Sequence, residues 1–178
     1  MKEINLNNKV FREYIRRDEI DCIVEEISKK INQSKIQNPF LLAILDGSFF
    51  FASDLIRKIK IPNTQISFVK LSSYVGTEST GTVKELIGLK EDISNRNVII
   101  IEDIVDTGNT ILEIFKSLEK YNAASISVAT LLFKPDVYNK DIKINFIGKK
   151  IPNDFVVGYG MDFNENGRNL PHIYKLKN

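Results

Sequence analysis

Three short apolar runs constrain this chain more than any other feature: FLLAIL at 40–45, VIII at 98–101 and ISVATLLF at 126–133. Each reads as a strand buried on both faces, because a half-exposed strand would alternate apolar with polar residues. Between them the apolar period becomes helical. Residues 18–31 set Ile20, Ile23, Val24, Ile27 and Ile31 on one stripe, with Asp18 as the expected N-cap. The same spacing returns at 49–59 through Phe50, Leu55, Ile56 and Ile59, and at 110–121 through Ile111, Ile114, Phe115 and Leu118. Strands alternating with helices define an α/β domain with a mostly parallel central sheet. Further strands are expected at 65–71 (QISFVKL), at 144–147 (INFI) and in VVGYG, 156–160. SSYVGTESTGT, 72–82, is small and polar without apolar period, and is expected to be a loop of functional length.

Composition narrows the function classes. At 178 residues the chain is long enough for one globular domain, 1–178, with a core that needs no covalent staples. Lys and Arg number 25 against 23 Asp and Glu, a net charge of +2, which argues against a chain devoted to coating nucleic acid. One cysteine and one histidine, Cys22 and His172, exclude an internal disulfide and a zinc finger, and neither receives a role. Cys22, on or beside the first helical stripe, is expected to serve packing. The start of the chain has no apolar signal region, and the apolar runs are far below the ~20 residues that span a bilayer. The expectation is a soluble, cytoplasmic protein with no membrane or nucleic-acid partner.

The chemistry is concentrated in VIIIEDIVDTGNT, 98–110. A buried strand delivers two adjacent carboxylates, Glu102 and Asp103, at its carboxyl end. Asp106-Thr107-Gly108-Asn109-Thr110 then turns into a helix N-terminus, whose backbone N–H groups and threonine hydroxyls make a cradle for phosphate. Gly108 lets the backbone come close to the anion. Open α/β sheets bind ligands outside the carboxyl ends of their strands, where this turn would lie. Carboxylates beside an anion cradle make sense if the ligand also carries sugar hydroxyls or a divalent metal. The plainer alternative is that Glu102 and Asp103 finish a strand and Asp106 caps the next helix.

The segment resembles the phosphoribosyl-pyrophosphate (PRPP) motif of the type I phosphoribosyltransferases, most of all their hypoxanthine–guanine branch. The resemblance runs from about Val10 to Tyr174. LDGSFFFASDL (45–55) is similar to the family's first active-site loop and LSSYVGTESTG (71–81) to the loop that closes over the reactants. LLFKPD (131–136) and PNDFVVGYGMDFNENGR (152–168) are similar to its purine-binding elements. The implied fold is that of the family: a central, mostly parallel sheet flanked by helices, with a small hood from the N-terminal residues and the segment after about 150. The implied reaction transfers 5-phosphoribosyl from PRPP to hypoxanthine, and to guanine, giving IMP or GMP and pyrophosphate in purine salvage.

The resemblance also implies roles, residue by residue. Asp106 is the general base near the purine N7. Glu102 and Asp103 hold the ribose hydroxyls, directly or through Mg²⁺, and the backbone of Asp106, Thr107, Gly108, Asn109 and Thr110 grips the 5′-phosphate. Asp162, near the purine, is the second metal-side carboxylate, and Arg168 meets pyrophosphate. Asp46 and Gly47 bind pyrophosphate through backbone N–H groups in a turn that often contains a cis peptide. Asp46 departs from the lysine of some relatives, so its side chain is expected to turn away. Lys134 reads the 6-oxo group, Phe155 stacks on the base, and the Val156 backbone meets its edge. Ser73 and Tyr74 close over the reactants. A homodimer or homotetramer is implied as well. Two alternatives remain: a PRPP-binding transcriptional regulator on the same fold, which the charge and the absence of a spare domain disfavour, and the same reaction on another base.

Overall fold

The computed structural model describes residues 2–75, 82–87 and 89–177. In chain order the elements are β1 (Glu3–Leu6), β2 (Lys9–Ile15), α1 (Arg17–Asn32), β3 (Pro39–Leu45), α2 (Phe49–Ile56), β4 (Gln65–Val75), β5 (Thr82–Ile87), β6 (Asn97–Val105), α3 (Asn109–Leu118), β7 (Ser125–Phe133), β8 (Phe146–Lys150), β9 (Val156–Val157) and β10 (Ile173–Leu176). One sheet has the order β5-β4-β3-β6-β7-β8, with five parallel strands and β5 antiparallel on its edge. A second, antiparallel sheet, β1-β2-β10-β9, joins both ends of the chain.

The two-faced burial of the central strands divides the core in two. Leu41 and Ala43 of β3, Ile99 and Ile101 of β6, and Leu131 of β7 pack under α1 and α2. Their neighbours Leu42, Ile44, Ile100 and Val128 point the other way, against Ile111, Ile114 and Leu118 of α3. Successive side chains of a strand face opposite sides, so a strand covered on both must be apolar throughout. Burying each such side chain contributes roughly 1.5–3 kcal/mol. A smaller cluster of Phe11, Val157 and Tyr174 holds the antiparallel sheet together.

Several boundaries differ from the sequence expectation. The stripe of α1 is buried as expected, but Arg16 occupies the N-cap, and Asp18 sits in the first turn, paired with Arg16. Helix α2 stops at Ile56, leaving Ile59 outside it, and α3 ends at Leu118 before a short 3₁₀ turn, Glu119–Tyr121. Ser72–Val75, expected in a loop, extends β4 and pairs with β5, a strand the sequence reading missed. The rest of the expected loop, 76–81, lies outside the described residues. Strand β8 begins at Phe146 rather than residue 144. VVGYG does not continue as a strand: β9 ends at Val157, because Gly158, Tyr159 and Gly160 all have positive φ. Cys22 is exposed rather than packed. None of β1, β2 and β10 was anticipated, since their patterns are short and half-polar.

Ile99 is fully buried beneath α1 and α2. Ile99→Ala is expected to lower the unfolding free energy by ~2–5 kcal/mol, read from the urea midpoint at unchanged slope. A loss below ~1 kcal/mol would contradict close packing there.

Candidate active site

Strand β6 does not end at Ile101; it runs through Glu102 and Asp103 to Val105, registered against Thr130, Leu132 and Phe133 of β7. The two carboxylates are therefore held by the sheet itself. Both border a cavity of ≈ 330 Å³ at the carboxyl end of the parallel strands, together with Gly47, Leu71 and Thr110. Glu102 is only 7% exposed, and its Oε2 has no hydrogen-bond partner. Burial, with Asp103 alongside, pushes the Glu102 carboxyl well above its usual pKa. Burial likewise raises Asp103 to about 6, outweighing the N–H groups of Ile104 and of Asp103 itself and the charge of Arg168. An orphaned, buried carboxylate oxygen beside a second carboxylate is a donor set that fits a hard cation such as Mg²⁺.

Immediately downstream, residues 102–111 enclose a second cavity of ≈ 240 Å³. Gly108 has φ 82°, and a Cβ there would lie 2.5 Å from the Tyr138 ring, so conformation and space both demand glycine. No side chain caps α3, and its first-turn N–H groups face the cavity region with the hydroxyl-bearing Thr110. The sequence expectation placed the phosphate cradle at this turn.

Asp106 and Lys134 are brought together: the Lys134 ammonium donates to Asp106 Oδ2 at 2.9 Å and to Asn153 Oδ1 at 3.3 Å. Lys134 is buried at 6% exposure, and its backbone N–H donates to the Val105 carbonyl, anchoring it at the end of β6. Asn153 lies two residues before Phe155, whose ring is 46% exposed and backed by Phe11 and Phe163 at centroid distances of 6.3 and 5.6 Å. An exposed aromatic ring backed by two others offers a face on which a flat ring can stack. Val156 is buried in β9, paired with Lys175.

The opposite wall is the turn after β3. The Leu45–Asp46 peptide is cis. Gly47 abuts Asp103 so closely that a Cβ on it would fall 2.0 Å from Asp103 Oδ2, and a Cβ on Gly160 would fall 2.0 Å from the Gly47 carbonyl oxygen. The Asp46 carboxylate turns to Lys70 Nζ at 2.8 Å. Arg168 donates to the Gly160 carbonyl at 2.8 Å and pairs with Asp162 at 2.7 Å. Asp162 also accepts the Glu165 N–H. Asp162, expected as a metal-side carboxylate, is ion-paired with Arg168, and among the described residues no three acidic, histidine or cysteine side chains converge as a ready cage. Ser73 and Tyr74 lie on β4, registered against Lys84 and Val83.

Five residues in or behind these walls escaped the sequence reading. Tyr159, 1% exposed, donates to Asp54 at 2.6 Å, and Arg17 joins the same carboxylate at 2.7 Å, fastening the second sheet to α1 and α2. An aspartate inside the apolar helix FFFASDLI was the available signal for Asp54. Nothing in QISFVKL marked Lys70. His172, given no role, accepts the Arg17 backbone N–H through Nδ1 at 2.9 Å and belongs to the same fastening.

Such a sheet, with paired carboxylates above an uncapped helix and two ion pairs on the far wall, suits an enzyme that handles a phosphorylated sugar. Residues 16–164 match the phosphoribosyl transferase domain family, and the chain belongs to it. It is 46% identical over 153 residues to the hypoxanthine phosphoribosyltransferase of Buchnera aphidicola, covering 85% of each chain. Over 174 residues it is 40% identical to the hypoxanthine-guanine phosphoribosyltransferase of Staphylococcus aureus, covering 97% of each. The crystal structure of a hypoxanthine-guanine phosphoribosyltransferase from Bacillus anthracis superposes with a TM-score of 0.82 at 34% identity, over 93% of this chain and 98% of that one.

The Asp103 carboxyl, raised from 3.8 to about 6, carries more proton in the folded than in the unfolded protein between those values. Its contribution to stability therefore falls as pH rises through that window. In the absence of divalent cations, Asp103→Asn is expected to be more stable than the parent, by a margin that grows from pH 4 to pH 6.5 and then levels off. Denaturant titrations at a series of pH values test this; a margin independent of pH would refute the raised carboxyl.

Proposed function

We propose that the chain is a Mg²⁺-dependent hypoxanthine phosphoribosyltransferase that also accepts guanine, forming IMP or GMP and pyrophosphate from PRPP in purine salvage. The observation that carries the reading is the buried Lys134 ammonium, which joins Asp106, the first residue of the proposed phosphate cradle, to Asn153, two residues before the exposed Phe155. Phe155 stacks on the purine and the Val156 backbone meets its edge. The Lys134 ammonium donates to the 6-oxo group, which a 6-amino group could not accept. Asp106 takes the proton from the purine N7 side as the glycosidic bond forms; a placed general base contributes ~10²–10⁴-fold.

The backbone from Asp106 to Thr110 binds the 5′-phosphate at the N-terminus of α3, where free N–H groups favour an anion. Glu102 and Asp103 hold the ribose hydroxyls and the cation. Mg²⁺, when bound, supplies the charge that makes pyrophosphate a good leaving group. The N–H groups of Asp46 and Gly47 with Arg168 receive pyrophosphate, and Asp162 keeps the Arg168 guanidinium in place. Ser73 and Tyr74, on the strand leading to the active-site loop, close over the reactants and exclude water from an electrophilic sugar carbon. The antiparallel sheet from the two chain ends acts as the hood of a single 1–178 unit. A cytoplasmic homodimer or homotetramer accords with the family. Among the described residues no helix is long and apolar enough to cross a membrane.

Incubating the protein with PRPP and each of hypoxanthine, guanine, xanthine, adenine and uracil, with and without Mg²⁺, tests the reading. IMP formation that stops without Mg²⁺ is expected, and no product from any base would overturn it. Asp106→Asn should leave PRPP binding intact while lowering kcat by ~10²–10⁴-fold. Lys134→Ala should narrow the ratio of hypoxanthine to adenine kcat/KM; an unchanged ratio would remove Lys134 from base selection.

A further inference from the structure

The turn proposed to receive pyrophosphate carries an acid. Asp46 is 45% exposed, follows the cis peptide directly, and precedes Gly47, which touches Asp103. A carboxylate at the mouth of a polyanion site repels the ligand unless its charge is neutralised. The neutralising group is on the neighbouring strand. Parallel pairing of β3 with β4 sets Leu45 opposite Lys70, and the Lys70 ammonium reaches one residue further to Asp46 Oδ2 at 2.8 Å. Among the described residues Asp46 is the ion-pair partner of Lys70.

The charges around Gly47 then divide in a definite way. Arg168 is paired with Asp162, and Lys70 with Asp46, which leaves Glu102 and Asp103 for the cation. The Lys70 hydrogen bond, and more weakly the Arg168 charge, hold the Asp46 carboxyl below its usual pKa, so Asp46 stays ionised and close to the Arg168 guanidinium. Without Lys70, Asp46 and Asp162 on this wall would share Arg168.

We propose that Lys70 is a specificity-determining residue for the pyrophosphate half of PRPP: it cancels the charge of Asp46 and so makes the Leu45–Gly47 turn able to take a diphosphate. The inference rests on the assignment of that turn to pyrophosphate. It gives Lys70 a role that acts through Asp46, not through contact with the reacting atoms. The pair is half-exposed, so replacing either member leaves the core untouched.

The test is a double-mutant cycle with Lys70→Met, Asp46→Asn and the combined variant, measuring KM for PRPP, KM for hypoxanthine and the inhibition constant of pyrophosphate. In the parent background Lys70→Met should raise the PRPP KM and the pyrophosphate inhibition constant by about three- to fivefold, the worth of an exposed ion pair, with the hypoxanthine KM unmoved. In the Asp46→Asn background the same factor should fall to about one. A factor equal in both backgrounds would overturn the proposal in favour of direct contact between Lys70 and the anion, and no effect in either background would overturn it outright. A parent protein without saturable dependence on PRPP would instead remove the underlying assignment of the site, a result separable from both.

Discussion

Holding two adjacent carboxylates out of water is the constraint on which the rest of this structure depends. Glu102 is almost wholly buried with one oxygen unpartnered, and Asp103 beside it is raised to about 6. Neither acid could be kept there by a loop, because a loop would relax and let water in. Strand β6 keeps them by continuing its ladder with β7 past the acids to Val105. The strand is in turn fixed by two apolar cores, one on each face. The stability of the domain is thus spent in part on a locally unfavourable arrangement, as expected where a site is prepared for a charged ligand.

The same economy shows in how the walls meet. At the cavity the turn after β3 meets the segment after β9 through backbone, Gly160 against the Gly47 carbonyl, and the Arg168 guanidinium holds the Gly160 carbonyl. Farther out, the buried Asp54 and Tyr159, with Arg17 half-buried above them, lock the arrangement. Burial and the hydrogen bond to Asp54 push the Tyr159 hydroxyl far above its ordinary pKa, so it remains a donor throughout the working pH range. Removing the Tyr159 hydroxyl would cost more than the bond contributes, because the buried Asp54 carboxylate would lose a partner.

What the sequence disclosed and what it hid follow from the range of the interactions. The central strands were legible because burial on both faces leaves an unbroken apolar run, and the stripe of α1 because its period repeats through Ile20 to Ile31. The turn into α3 was legible because the positive φ of Gly108 is a property of its own backbone. The strands at the chain ends were not, since Phe11, Arg12 and Glu13 of β2 pair with β10 across nearly the length of the chain. The extension of β4 through Ser73 was hidden by polar residues that pair with β5. Lys70 and Asp54 were hidden for the same reason: what matters about them is a partner 24 or 37 residues away. The motif implied Asp162 as a metal carboxylate, and the fold ties it to Arg168.

The ion pair between Lys134 and Asp106 has a kinetic consequence on the proposed reading. Without a purine the ammonium is satisfied by the very carboxylate that must accept a proton. A base with an oxygen at position 6 gives the ammonium a new acceptor and thereby frees the carboxylate for its task. A base with an amino group there offers no such exchange, so the ammonium keeps the carboxylate occupied. Recognition and reactivity are then interlocked through a single cation, and a wrong base is penalised twice, once on entry and again at the proton transfer.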